Sequence, residues 1–146
     1  MLELAHLVLD LNGTIALDGE VLPGVVERLT TLAGELEIYL VTADTQGNAA
    51  AIAAALPMRL VTLAPGGEAE QKLGLLMQLG AHHTAAIGNG ANDARMLAVA
   101  ALGITVLGPE GLASVALQAA DVVVARIEDA LDLLLWPQRL IATLRR

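Results

Sequence analysis

At 146 residues the chain has the length of one domain. It is 55% hydrophobic but only 1% aromatic, with no Phe, so its core must be Leu, Val, Ile and Ala, which favours helices packed on a sheet over an aromatic-rich β-sandwich. The net charge of −8 argues against nucleic acid, whose affinity depends on Lys and Arg neutralising phosphates, and against a basic membrane-binding surface.

There is no Cys, so disulfides and thiolate chemistry are excluded. The first residues lack a basic region followed by a long apolar segment, and no stretch approaches the ~20 apolar residues of a membrane span. The expectation is a soluble cytoplasmic protein with one domain over residues 1–146.

The first apolar run, Leu4 to Leu9, stops at Asp10, and Asn12, Gly13 and Thr14 follow at once. Short apolar runs bounded by turn residues read as buried strands. Asp10 therefore stands at the carboxyl end of the first strand, where open α/β sheets bind ligands. A carboxylate there can act as a nucleophile or hold a metal. Gly13 permits a turn that few residues tolerate and lets main-chain N–H groups approach an anion.

Residues 14–22 carry Asp18-Gly19 between apolar flanks, a hairpin signal that predicts a small flap. Pro23 opens a helix with the stripe Val25, Val26, Leu29 and Leu32, ended by Gly34. Leu36 to Val41 is a second strand, ending in Thr42-Ala43-Asp44-Thr45. An Ala-rich helix over Gln46 to Leu56 stops at Pro57, and Met58 to Leu63 is a third strand. Glu68 to Leu79 is a helix with the stripe Leu73, Leu76, Met77 and Leu79, capped by Gly80. Thr84 to Ile87 is strand four, followed by the polar loop Gly88-Asn89-Gly90-Ala91-Asn92-Asp93 and a helix over Ala94 to Ala100. Leu102 to Leu107 is strand five, Gly108 to Gly111 a turn, Leu112 to Ala119 a helix and Asp121 to Ala125 strand six. The tail, Glu128 to Leu144, is a helix bent or broken at Pro137.

Alternating strands and helices predict a doubly wound parallel sheet. In such a sheet the residues after strands one, two and four share one edge: Asp10, Asn12 and Thr14; Thr42 and Asp44; Asn89, Asn92 and Asp93. Lys72 lies near a helix N-terminus, where its charge opposes the macrodipole, so a nearby anion would account for it. Taken singly, each residue has an ordinary explanation. Lys72 is then solvated, Asn92 and Asp93 cap a helix, and Thr42 is a strand-end hydroxyl. Together, and in this order, they are much harder to ascribe to chance.

The order DxNGT, Thr, Lys, GNGxND resembles the haloacid dehalogenase-like (HAD) superfamily of phosphohydrolases. In pattern it is similar to the phosphorylation domain of P-type ATPases and to small soluble proteins that resemble that domain alone. The match runs from Asp10 to at least Asp93. It implies an α/β fold: a three-layer Rossmann-like (HAD-like) parallel sheet with helices on both faces, a short β-hairpin flap and no cap domain.

By that resemblance Asp10 is the nucleophile that becomes an aspartyl-phosphate. The Asn12 backbone carbonyl ligates Mg²⁺, and Asn89 and Asp93 complete or support the metal site. Thr42 binds the phosphoryl group by its hydroxyl and Lys72 balances its charge, with Gly13, Ala43 and Asn92 around the same group. A carboxylate attacks a dianionic phosphoryl group only if charge is neutralised, hence Mg²⁺ and Lys. The implied substrate is a phosphorylated small molecule or a phosphoprotein. Capless relatives often form oligomers, which leaves a homo-oligomer open.

Two positions depart from the family pattern. Most HAD phosphatases have a second Asp where Asn12 stands, which protonates the leaving group and then activates water. Such help is typically worth ~10²–10⁴-fold, or roughly 3–5 kcal/mol of barrier. Asn89 replaces an acidic residue and would ligate Mg²⁺ more weakly. The expectation is therefore a phosphohydrolase or phosphotransferase slow to hydrolyse its phospho-aspartate. The alternative is a non-catalytic phosphate- or metal-binding regulatory module on the same scaffold. A receiver-type phosphoacceptor is disfavoured because its Asp follows a middle strand. A dinucleotide module is disfavoured because GNGAND lacks the third Gly. His82 and His83 precede strand four, at the edge away from the site, and read as structural or surface residues. Asp18, Asp44 and Arg95 read as solvent-exposed.

Overall fold

The apolar run that opens the chain forms β1, His6–Asp10, with Leu7, Val8 and Leu9 all buried. The computed structural model describes residues 3–43 and 48–145. The predicted hairpin follows as β2, Ala16–Leu17, and β3, Glu20–Val21. Asp18 and Gly19 both have positive φ, 52° and 84°, as a two-residue turn of matched twist requires. Then come α1 (Val25–Leu32), β4 (Glu37–Thr42), α2 (Asn48–Ala55), β5 (Arg59–Thr62) and α3 (Glu68–Leu79). The second half is β6 (Thr84–Gly88), α4 (Ala94–Val99), β7 (Leu102–Val106), α5 (Ser114–Ala119), β8 (Val122–Val124), α6 (Ile127–Leu135) and α7 (Pro137–Leu144). Residues 44–47, which hold Asp44 and the expected start of the Ala-rich helix, lie outside the described residues.

Six strands form one parallel sheet in the order β5-β4-β1-β6-β7-β8. The chain winds outward from β1 through β4 to β5, then returns to β6 on the other side of β1. This is the doubly wound order, and its switch point lies between β1 and β6. The loops after these two strands diverge there and open a crevice at the carboxyl edge.

Alternation along each strand divides the core in two. Leu7, Leu9, Ile38, Leu40, Ala85 and Ile87 face α1, α2 and α6. Val8, Tyr39, Val41 and Ala86 face α3, α4 and α5. Asp10 continues the second set, on the face that α3 covers. Gly103 of β7 keeps α4 close, since a Cβ there would strike the Leu97 carbonyl.

Two helical stripes differ from the sequence pattern. In α1 the buried residues are Val25, Leu29 and Leu32, while Val26 is 44% exposed. In α3 Met77 is 63% exposed, and the inward stripe is Lys72 and Leu76. A helix turns about 100° per residue, and in these two the sheet-facing side falls on Leu29 and Leu76, which leaves Val26 and Met77 toward the outside. The tail helix breaks at Trp136, and Pro137 starts α7 in the position where its missing N–H costs nothing. Among the described residues, no domain is inserted between β3 and α1 or between β5 and α3. No described helix is long and apolar enough to cross a membrane.

Candidate active site

The chain turns sharply after β1 because Thr14, Ile15 and Ala16 all donate their N–H groups to the Leu11 carbonyl, at 3.3, 3.0 and 3.0 Å. Gly13 makes this possible with φ 78°. Its N–H, expected to face an anion, donates instead to the Ala16 carbonyl at 2.8 Å. Gly13 therefore shapes the loop and offers no donor to a phosphate. Asp10 and Asn12 both line a cleft of about 410 Å³ at the carboxyl edge.

Lys72 reaches this cleft from α3. A solvated side chain is the wrong picture for it: the residue is 2% exposed. Its ammonium donates to Asp10 Oδ1 at 3.2 Å, Asn92 Oδ1 at 2.9 Å and Asp93 Oδ1 at 2.6 Å. Three donors meet three acceptors, so the buried charge is fully satisfied. One cation thus ties the loop after β1 to the loop after β6.

Asp93 is fully buried. Its Oδ2 accepts the N–H groups of Asn89 and Gly90 at 3.1 and 3.0 Å, which ties the loop after β6 to itself. Asp93 therefore belongs to the charged site and closes the short turn 91–93, while its side chain makes no cap on α4. Gly88 makes room for it, since a Cβ there would stand 2.5 Å from the Asp93 carboxyl carbon. Nothing in the sequence pattern singles out Gly88 beyond its loop position.

Asn89 also braces the loops around the cleft. Its amide nitrogen donates to the carbonyls of Gly13 and Gly111 at 3.0 and 3.1 Å. Its amide oxygen faces the Thr14 hydroxyl at 3.3 Å, which is also 3.3 Å from Asp10 Oδ2. Two carbonyl acceptors demand a donor, so an acidic residue here would set like charges against them. The residue lines the same cleft as Asp10, with its amide oxygen directed at Thr14.

Burial, then the charge of Asp93, raises the Asp10 carboxyl to about 6, against the opposing pull of Lys72 and Thr14. Burial would lower the Lys72 ammonium, but the charges of Asp10 and Asp93 outweigh it and hold it above its ordinary value. The site therefore holds two carboxylates against one ammonium, with negative charge to spare. That donor chemistry fits a divalent cation. Among the described residues no three His, Asp or Glu converge to bind one. Mg²⁺ asks for less: it takes one or two carboxylates and fills its octahedron with carbonyl and water oxygens.

Thr42 is 5% exposed and lines the cleft with Ala43, which is exposed. Its carbonyl accepts the Leu63 N–H at 2.8 Å, which fixes the end of β4. Asp18 lies exposed at the hairpin tip, and Arg95 pairs with Glu70 at 3.2 Å on the exposed surface. His82 and His83 are exposed at the opposite edge. The sequence reading missed Glu110, which lines the cleft from the turn after β7. Its signal was available, because that turn follows a parallel strand and so shares the carboxyl edge.

No family model matches the chain. Two uncharacterised proteins of Methanocaldococcus jannaschii do. One is 55% identical over 60 residues, 41% of this chain and 64% of that protein; the chain thus spans less than two thirds of its length. The other is 59% identical over 39 residues, 27% of this chain and 89% of that protein, so the two belong to one family. Among solved structures, a Legionella pneumophila protein assigned to the HAD superfamily, subfamily III A hydrolases, matches with TM-score 0.74 and 18% identity, covering 98% of this chain and 87% of that one. The 3-deoxy-D-manno-octulosonate 8-phosphate phosphatase of Moraxella catarrhalis, solved with magnesium and phosphate ions, matches with TM-score 0.71 and 19% identity over 99% and 95%. A zinc-transporting PIB-type ATPase matches with TM-score 0.68 and 25% identity over 86% of this chain and 20% of that one.

Proposed function

This chain is HAD-like, with the fold of the octulosonate phosphatase and of part of the zinc-transporting ATPase, and on that premise we propose that it is a Mg²⁺-dependent phosphohydrolase working through an aspartyl-phosphate on Asp10. The observation that carries the reading is the contact of one buried ammonium with two carboxylates from separate loops, Lys72 to Asp10 at 3.2 Å and to Asp93 at 2.6 Å. Structural ion pairs of this kind are costly to bury, and a cleft is where a chain has reason to keep one.

In this reading an Asp10 oxygen attacks the phosphorus of a phosphate ester held in the cleft. Lys72 neutralises charge on the transferring group, and Thr42 donates its hydroxyl to a phosphoryl oxygen. Asn92 holds Lys72 in place. Asp10 and the Asn12 carbonyl would hold Mg²⁺, with Asp93 adding charge behind them and Asn89 bracing the loop. When bound, the metal supplies charge neutralisation that lets a carboxylate approach a dianion. The substrate class is a phosphorylated small molecule, in keeping with the size of the cleft. The domain acting is the whole of residues 1–146.

Asn12 cannot serve as general acid or base, so hydrolysis of the phospho-aspartate should be slower than with an acidic residue at that position. Incubation with acetyl phosphate and Mg²⁺ should label Asp10, with the label lost in hydroxylamine and absent in Asp10→Asn. A wild-type chain that takes no label by mass spectrometry refutes the reading. That result would favour a non-catalytic phosphate- or metal-binding module, a role compatible with amides at both Asn12 and Asn89.

A further inference from the structure

We propose that Glu110 supplies the acid–base carboxylate that Asn12 lacks; the inference rests on the aspartyl-phosphate reading above. Glu110 lies in the turn Gly108–Gly111, and that turn is fastened to the loop that follows Asp10 by the Asn89 side chain and by close backbone packing. The Asn89 amide nitrogen bridges the carbonyls of Gly13 and Gly111, so one side chain holds both loops. The turn itself closes by the Gly111 N–H donating to the Gly108 carbonyl at 3.0 Å. Gly108 packs so tightly that a Cβ on it would stand 2.7 Å from the Gly13 carbonyl oxygen. The tip of the turn is thereby directed over Gly13, next to Asn12.

Glu110 Oε1 lies 2.6 Å from the point where a Cβ on Gly13 would be. Glycine at 13 is needed for its positive φ, and the Glu110 carboxylate lies against its Cα. Besides Asp10, the carboxylates lining the cleft among the described residues are Glu68 and Glu110. Glu68 starts the helix that carries Lys72, whereas Glu110 abuts Gly13 in the loop that follows Asp10. Thr105 and the Gly88 carbonyl, at 2.8 Å, fix the end of β7 beside β6 and so fix the origin of the turn.

The chemistry closes in two steps. First, an Asp10 oxygen bonds to phosphorus as the bond from phosphorus to the substrate oxygen breaks. The Glu110 carboxyl gives its proton to that oxygen, which leaves as the alcohol. Second, the Glu110 carboxylate takes a proton from water as the water oxygen bonds to phosphorus and the bond to Asp10 breaks. Asp10 and the Glu110 carboxyl are restored and inorganic phosphate departs.

Acetyl phosphate separates this role from a merely structural one, because acetate leaves without a proton. In Glu110→Gln with acetyl phosphate and Mg²⁺, labelling of Asp10 should keep its wild-type rate. Decay of the label should slow about 10²-fold, the low end of what a positioned acid–base group contributes. Adding Asn12→Asp to that variant should restore decay to at least the wild-type rate. Decay unchanged by Glu110→Gln, or labelling and decay slowed in parallel without rescue, overturns the assignment while leaving Asp10 as the nucleophile. Absence of label on the wild type overturns the aspartyl-phosphate reading itself and Glu110 with it.

Discussion

The two edges of the sheet are built on opposite principles. At the carboxyl edge, loops after β1, β4, β6 and β7 converge on a polar cleft whose centre is a buried Lys72 between Asp10 and Asp93. At the other edge, Leu4, Leu32, Leu36, Leu133 and Leu134 line an apolar groove of about 850 Å³, with Glu3 and Glu35 beside it. The groove side gains stability from every apolar atom it covers. The cleft side carries charges that cost free energy to bury, and its contacts are arranged to keep them satisfied. The chain thus gives up stability at one edge and recovers it elsewhere, so variants at the two edges should fail in different ways.

Removing the shared cation should do most damage. Lys72→Met leaves the like charges of Asp10 and Asp93 buried without a cation between them, which costs about 3–5 kcal/mol. Urea denaturation in EDTA should show that loss, and a variant as stable as the wild type would mean that the two carboxylates do not rely on Lys72.

Asp10→Asn should act in the opposite direction. The Asp10 carboxyl is raised from 3.8 to about 6, first by burial. Between those values the folded chain keeps a proton that the unfolded chain has lost. Its contribution to stability is therefore full below about pH 4 and falls as the pH rises to 6. A residue that cannot ionise escapes that loss, so in metal-free buffer at pH 7 Asp10→Asn should exceed the wild type by about 3 kcal/mol. The same comparison at pH 4 should bring the two together. A stability gap independent of pH would count against this account.

At the apolar edge Leu140, 8% exposed, packs α7 onto the core. Leu140→Ala should cost about 2 kcal/mol, the low end for such a truncation at a core margin, while leaving phosphate labelling of Asp10 unchanged. The smallest effect belongs to Met77, which the sequence pattern assigned to the core and the fold exposes. Met77→Gln should change stability by no more than about 0.5 kcal/mol in thermal melts.

Much of the site could be read from the chain because a strand's polarity is local information. Asp10, Thr42 and the GNGAND loop each follow an apolar run, and parallel strands send all such residues to one edge. The hairpin was equally legible, since Asp18-Gly19 supplies the two positive φ values the turn needs. Other features were hidden because the contact that decides them is remote in sequence. Lys72 stands four residues before Leu76 on the inward side of its helix, and only the carboxylates across the crevice account for a charge held there. The Asn89 amide reads as a weakened metal ligand, and only the fold shows that Gly13 and Gly111, 76 and 22 residues away, also take its N–H groups.

The sequence by itself determined the alternation of strands and helices, the places where polar residues end the strands, and the turns that glycine permits. These follow from periodicity and backbone sterics, which act over a few residues. Tertiary structure alone decided that β1 and β6 are neighbours, that one ammonium serves two carboxylates, and that Glu110 stands over Gly13. Those facts depend on strand order in the sheet, which is fixed by long-range burial and is written in no short stretch of the chain.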